Sequence, residues 1–175
     1  MTSSKEIYEG VKIRGHILAE EIQRGFQYFT RYCLPAMDIV VSREEGDNII
    51  CKNGANAITN GLDTGTIVMF NYMAISTDAN PVARTTATIP GSMVPTITKF
   101  MSTVINPTVV NGASTSIITW VFTFAAASGK TAIAKFGMEV DDTGAGNCFN
   151  EYLFTAVKDN TNNDLKLTYN VSVAP

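Results

Sequence analysis

Leu165-Lys166-Leu167-Thr168-Tyr169-Asn170-Val171-Ser172-Val173 decides the fold. Apolar side chains hold every odd position and polar ones every even position, a strict period of two that marks a half-buried antiparallel strand. Just upstream, Ala134, Phe136 and Met138 alternate with Ile133, Lys135 and Gly137, and a further apolar run covers residues 148–157. Two polar breaks, at 141–147 and 158–164, separate these runs, so residues 131–173 read as three strands joined by two turns. The stretch carries no pattern that points to chemistry.

The rest of the chain supplies partners for these strands. In residues 116–124, Ile118, Trp120, Phe122 and Phe124 alternate with Ile117, Thr119, Val121 and Thr123, giving a strand with one aromatic face. Burying such side chains contributes roughly 1.5–3 kcal/mol each, which assigns Trp120 to core packing rather than to a sugar-stacking platform. Residues 67–75 are apolar on both faces, as in a central strand covered on two sides. Residues 96–104 form another strand, with Asn106-Pro107 and Asn111-Gly112 marking the connection to 116–124. Asn48-Ile49-Ile50-Cys51 is a short strand. After Asn53-Gly54, the spacing of Ala55, Ala57, Ile58 and Leu62 predicts a short helix ending near Asn60-Gly61. Asp78-Ala79-Asn80-Pro81 makes a turn, and residues 82–95 read as a long loop or extended arm.

The segment 8–33 reads two ways. Ile13, Ile17, Ile22, Phe26, Phe29 and Cys33 could share a helix face, but Gly10, Gly15 and Gly25 each cost a helix about 1 kcal/mol. Period two instead puts Val11, Ile13, Gly15, Ile17 and Ala19 on one face, with a second strand over Phe26, Tyr28, Thr30 and Tyr32 after a turn near Arg24-Gly25. Strands are the favoured reading. Ile39-Val40-Val41 then reads as a strand entering a charged turn at Arg43-Glu44-Glu45-Gly46-Asp47. The predicted architecture is mainly β: an antiparallel β-sandwich over residues 48–175 with one short helix, and residues 1–47 as an N-terminal extension or the first strands of the sandwich.

At 175 residues the chain is long enough to bury a core without disulfides or metal, and its three cysteines, Cys33, Cys51 and Cys148, show no paired spacing, so free buried thiols are expected. No apolar run approaches a membrane span, and the start of the chain lacks the apolar core of a signal peptide. The net charge of −3 has no basic stripe, which argues against a nucleic-acid partner. The placement of charge says more than its sum. Residues 1–52 hold 15 of the 29 charged side chains, whereas 64–128 hold only Asp78, Arg84 and Lys99. A strand-rich region with Thr, Ser, Ala and Val outward suggests surface covered by other subunits.

The motifs exclude common chemistries. His16 is the only histidine and no G-x-S-x-G elbow accompanies it, so a serine hydrolase has no base. Gly144-Ala145-Gly146 lacks the Lys-Ser or Lys-Thr of a phosphate loop. Asp141, Asp142 and Asn147 are the nearest approach to a calcium loop, but their spacing misses the D-x-[DN]-x-[DN]-G pattern and a solvated turn is the better reading. Glu20 with Glu21, and Glu44 with Glu45, read as surface charge rather than a glycosidase pair. No catalytic residue, cofactor or metal is expected.

The order of Asn48-Ile49-Ile50-Cys51-Lys52-Asn53-Gly54, a short helix, Asn71-Tyr72-Met73-Ala74-Ile75-Ser76-Thr77, and later Ala134-Lys135-Phe136-Gly137-Met138 before two closing strands resembles a group of tailed-bacteriophage virion proteins. That group carries an N-(L/I)-(I/V)-x-x-x-G segment before a helix, a Y-(I/M)-A-(I/V)-G-x-G strand, and an E-x-G-(L/M)-F motif before its terminal strands. This chain has Ser76 and Asp78 at preferred glycines and Lys135 at the preferred glutamate. The resemblance implies a non-enzymatic accessory β-sandwich of the particle, a capsid decoration or a neck or tail component, made in the host cytoplasm and carried in the virion. Its partners would be copies of itself and coat, portal or tail proteins, with neither nucleic acid nor membrane. The arm residues Val82, Arg84, Thr85, Thr86, Thr88, Ile89, Met93 and Val94 are the expected subunit contacts. The alternative is a receptor- or carbohydrate-binding module of a phage fibre, stacking sugars on Tyr8, Tyr28 or Tyr32.

Overall fold

A computed structural model describes residues 12–26, 37–64, 70–85, 99–112, 115–126, 132–140, 148–158 and 161–174. In chain order these give β1 (Lys12–Phe26), β2 (Met37–Asp47), β3 (Ile49–Ile50), α1 (Lys52–Thr64), β4 (Tyr72–Ser76), β5 (Lys99–Met101), β6 (Thr108–Asn111), β7 (Ser116–Phe124), β8 (Ile133–Glu139), β9 (Cys148–Lys158) and β10 (Asp164–Ala174). The strands form two antiparallel sheets, ordered β2-β1-β10-β7-β6 and β3-β9-β8-β4-β5. Their inner faces share one apolar core, which makes the fold an antiparallel β-sandwich with a single helix among the described residues.

The alternation in residues 165–173 sets the centre of the first sheet. Leu165, Leu167, Tyr169 and Val171 are buried, while the residues between them are half-buried on the outer face. β10 pairs with β1 from Lys12 opposite Ala174 to Ile22 opposite Asp164, and on its other side with β7. The Tyr169 ring stacks on Trp120 of β7 with centroids 5.8 Å apart and meets Phe136 of the opposite sheet at 5.7 Å. Its hydroxyl accepts a hydrogen bond from Asn48 Nδ2 at 3.2 Å, at the point where the chain passes from β2 in one sheet to β3 in the other. Trp120 is accordingly a core residue, and the aromatic face of β7 points inward.

Of the two readings of residues 8–33, the strand is the observed one over 12–26, with Gly15, Ile17 and Ala19 buried on one face. The turn expected near Arg24-Gly25 is instead a bulge inside β1: the register with β2 shifts between Gln23 and Phe26, and Gly25 takes the left-handed φ of 62° that glycine tolerates. The paired strand expected over 26–32 lies outside the described residues beyond Phe26.

Four further boundaries differ from expectation. The charged run 43–47 is strand, not turn, because Arg43, Glu45 and Asp47 point to solvent while Glu44 turns inward to a partner. The helix starts before Asn53, where the Cys51 carbonyl accepts the Ala55 N–H at 3.0 Å, and it runs through Gly61 to Thr64. One glycine costs a helix only about 1 kcal/mol. That cost is offset where Ala57 and Ile58 pack against the core. The strand expected over 67–75 begins only at Tyr72, with 67–69 outside the described residues. Of the predicted strand 96–104, residues 96–98 lie outside the described residues, 99–101 form β5 and 102–104 are not strand, while β6 lies within the supposed connection, turning into β7 through Gly112 N–H to Thr115 O at 3.0 Å. Four residues are too few to show a period.

Four ion pairs fasten the frame. Arg24 of β1 bonds Asp38 of β2 at 2.8 Å and Asp164 of β10, whose other oxygen accepts the Ala126 N–H at 2.9 Å. Glu44, expected on the surface, reaches across from β2 to β9 of the other sheet, accepting from Thr155 N–H at 2.6 Å and Tyr152 OH at 3.1 Å, with Lys158 Nζ 2.9 Å away. Glu20 pairs with Lys166 on the outer face at 3.2 Å.

Gly15 tests this packing. A Cβ built there runs into Asn48 Oδ1 and the Tyr169 hydroxyl. Gly15→Ala is expected to destabilise the fold by about 1–3 kcal/mol in urea unfolding, while Arg14→Ala at the neighbouring exposed position changes stability by less than about 0.5 kcal/mol.

Candidate assembly surface

The two outer faces of the sandwich are built oppositely. On the first sheet, the antiparallel register aligns side chains into rows that run from β2 to β6. One row is Arg43, Glu20, Lys166 and Thr123, a second is Glu45, Leu18, Thr168 and Val121. A third is Asp47, His16, Asn170, Thr119 and Thr108, and a fourth is Arg14, Ser172, Ile117 and Val110. Every charge in these rows lies on β2, β1 or β10. The β7 and β6 portion holds only threonine, valine and isoleucine. His16 belongs to the charged side, its ring 3.3 Å from the Asp47 carboxylate.

That neutral portion is open to solvent. Val110 is 60% exposed, Val121 46% and Ile117 39%. Val109 has the inward parity of Ile118 yet is 53% exposed, so β6 is uncovered on both faces. The two edge strands of this sheet contrast. β2 is bulged at its start, where Met37, Val40 and Val41 are exposed beside the Arg24–Asp38 pair, and charged through Arg43, Glu45 and Asp47. Bulges and charges are the devices that keep a sheet edge from pairing with another chain. β6 has neither.

The outer face of the second sheet instead holds buried polar groups. Ser76, Lys135, Glu139 and Glu151 project there and none is more than 1% exposed. The cover includes the segment after β4 and the start of α1. Lys135 Nζ bonds Asp78 and lies 3.3 Å from Glu151 Oε1, while Glu151 Oε2 accepts the Ala83 N–H at 3.0 Å. Lys52 N–H donates to Arg84 O at 2.6 Å. Asp78 in turn accepts from the Asn80 side-chain amide, and its backbone N–H donates to Ser76 Oγ at 3.0 Å. Burial pushes the Asp78 carboxyl up, but the Lys135 bond and charge and the Asn80 bonds outweigh it, holding the group below its ordinary 3.8. Glu44 is held below 4.5 in the same way: burial raises it, and the Thr155 N–H and Lys158 overcome that.

The network fixes the root of the predicted arm. Val82 is half-buried, and Arg84 and Thr85 are exposed in a turn presented by these bonds. Thr86, Thr88, Ile89, Met93 and Val94 lie outside the described residues, as do Asp141, Asp142 and Asn147 and the three tyrosines Tyr8, Tyr28 and Tyr32. Among the described residues, no three His, Cys, Asp or Glu side chains converge on a position that could hold a metal. Sequence reasoning missed Lys135 and Glu151, since both sit in runs that read as ordinary strand alternation. It also missed Val109, Val110, Ile117 and Val121 as an exposed group, because the pairing of β6 with β7 is a tertiary fact. Comparison with protein-family models, with curated proteins and with solved structures finds no match to this chain.

Two outcomes test the network. Lys135→Met leaves Asp78 and Glu151 buried without their cation and is expected to cost about 3–5 kcal/mol in urea unfolding, much of it recovered when Asp78→Asn and Glu151→Gln are added. Glu44, Asp78 and Asp164 all ionise more readily in the folded chain than in the unfolded one. Their contribution is therefore complete above the ordinary carboxylate values and is lost as pH falls through the lower folded ones, so the thermal midpoint should hold near neutrality and drop between about pH 5 and pH 2.

Proposed function

We propose that this protein is a non-enzymatic structural component of a tailed-phage virion, a capsid decoration or a neck or tail part, that works by packing against copies of itself and neighbouring virion proteins. The observation that carries the assembly reading is the segregation on the first sheet. Charge is confined to β2, β1 and β10, while β7 and β6 present an uncharged face that ends in an edge strand with neither charge nor bulge. Interface cores are depleted in charge, and an exposed apolar patch beside an open edge is costly in a monomer. The phage part of the reading rests on the sequence resemblance over residues 48–173, and the β-sandwich is the fold that resemblance implies. Arg84 and Thr85, at the root of the 82–95 segment, form a second contact region on the opposite side of the sandwich.

Light scattering on the purified chain is expected to give a homo-oligomer, and Val110→Lys combined with Ile117→Lys to shift it toward monomer while moving the thermal midpoint by no more than a few degrees. A wild-type chain that stays monomeric at high concentration and does not sediment with particles on a density gradient would refute the reading.

A further inference from the structure

Cys51 and Cys148 lie outside the assembly surface and take no part in the ion network. Cys51 immediately precedes α1 and Cys148 opens β9. They are far apart in sequence, and in the fold their Sγ atoms stand 3.7 Å apart. Both are free thiols with no solvent exposure. The backbone already holds the two segments side by side, because the Cys51 N–H donates to the Phe149 carbonyl at 2.9 Å. Among the described residues, the sulfurs also donate to backbone carbonyls, Cys148 Sγ to Asn150 O at 2.9 Å and Cys51 Sγ to Ala83 O at 3.9 Å. No third ligand converges among the described residues to make the pair a metal site.

From this geometry we infer that Cys51 and Cys148 form a disulfide within the folded domain when they meet a small-molecule disulfide such as oxidised glutathione. A disulfide needs the sulfurs at about 2.05 Å, so closure asks each side chain to move by less than an ångström or so. In the first step one cysteine thiolate attacks a glutathione sulfur, the glutathione S–S bond breaks, and one glutathione leaves as its thiolate. In the second, the other cysteine loses its proton to solvent and attacks the protein-side sulfur of the mixed disulfide, releasing the second glutathione. Two electrons pass from the cysteine sulfurs to glutathione, and two protons reach the released thiolates. The new bond ties the start of α1 to β9 and removes the Cys51 S–H from the Ala83 carbonyl, next to the root of the 82–95 segment. The hydrogen bond to Cys51 and then burial keep the Cys148 thiol protonated, and with both sulfurs buried the attack on glutathione waits on a local opening of the fold, so the reaction is slow at neutral pH and faster in alkali.

The test is incubation of the full chain, wild type and Cys33→Ser, with oxidised glutathione at mildly alkaline pH, followed by intact mass and peptide mapping. The expected product is a chain lighter by two hydrogens and not cross-linked to a second chain, with one bridge between Cys51 and Cys148 and a thermal midpoint raised by roughly 5–10 °C. Mapping in the wild type locates the bridge even where the Cys33→Ser variant fails to fold. The inference is overturned by a stable glutathione adduct on either cysteine, by a bridge to Cys33 or to a second chain, or by a native chain left unmodified under conditions that bridge the urea-unfolded one.

Discussion

One tyrosine joins what the fold must hold together. Tyr169 sits on the central strand of one sheet, stacks on Trp120 beside it, touches Phe136 across the core, and takes a hydrogen bond from Asn48 at the crossing between sheets. A phenol buried in an apolar core needs a partner for its hydroxyl, and Asn48 is positioned to give one only if the chain leaves β2 at that point. Gly15 leaves the room for this contact. Burial pushes the Tyr169 hydroxyl above its ordinary value, which favours the neutral phenol that the Asn48 bond meets.

Around that centre the two outer faces follow different rules. The face of the second sheet carries ions, and an ion withdrawn from water must be matched by an opposite charge and by hydrogen bonds. Lys135, Asp78 and Glu151 supply the match together with backbone from Ala83, so the segment that follows β4 is held in place by the electrostatics of the sheet beneath it. The face of the first sheet carries no such demand on its β7 and β6 side. What it has is uncovered apolar surface, whose burial is non-directional and suited to contact with another molecule. One side of the domain is closed by its own chain, and the other leaves Val110, Ile117 and Val121 open to solvent.

The parts of this architecture that were legible in sequence are those in which one strand faces two different solvents. β10 and β7 alternate because water lies on one side and core on the other, and their limits and inward residues read directly from the pattern. β8 is buried on both faces, so its Lys135 and Glu139 break no alternation and look like outward residues until the cover is seen. Residues 43–47 looked like a turn because charge usually marks one, yet an edge strand carries charge for its own protection. β6 was hidden by its brevity and by the asparagine, proline and glycine that bracket it. The candidate surface could not be read for the same reason: its residues are distributed over two strands, and only their register puts Val110 beside Ile117.

The ladder between β1 and β10 has a mechanical consequence. Lys12 faces Ala174 at one end of it, and Ile22 faces Asp164 at the other. A pull that separates residues 12 and 174 is directed across the strands, so it loads the hydrogen bonds in succession and the ladder opens like a zipper at low force. A pull along β10 against a grip on the far end of β1 shears all the pairs together and meets far greater resistance. The domain is therefore soft or stiff according to where a neighbour holds it.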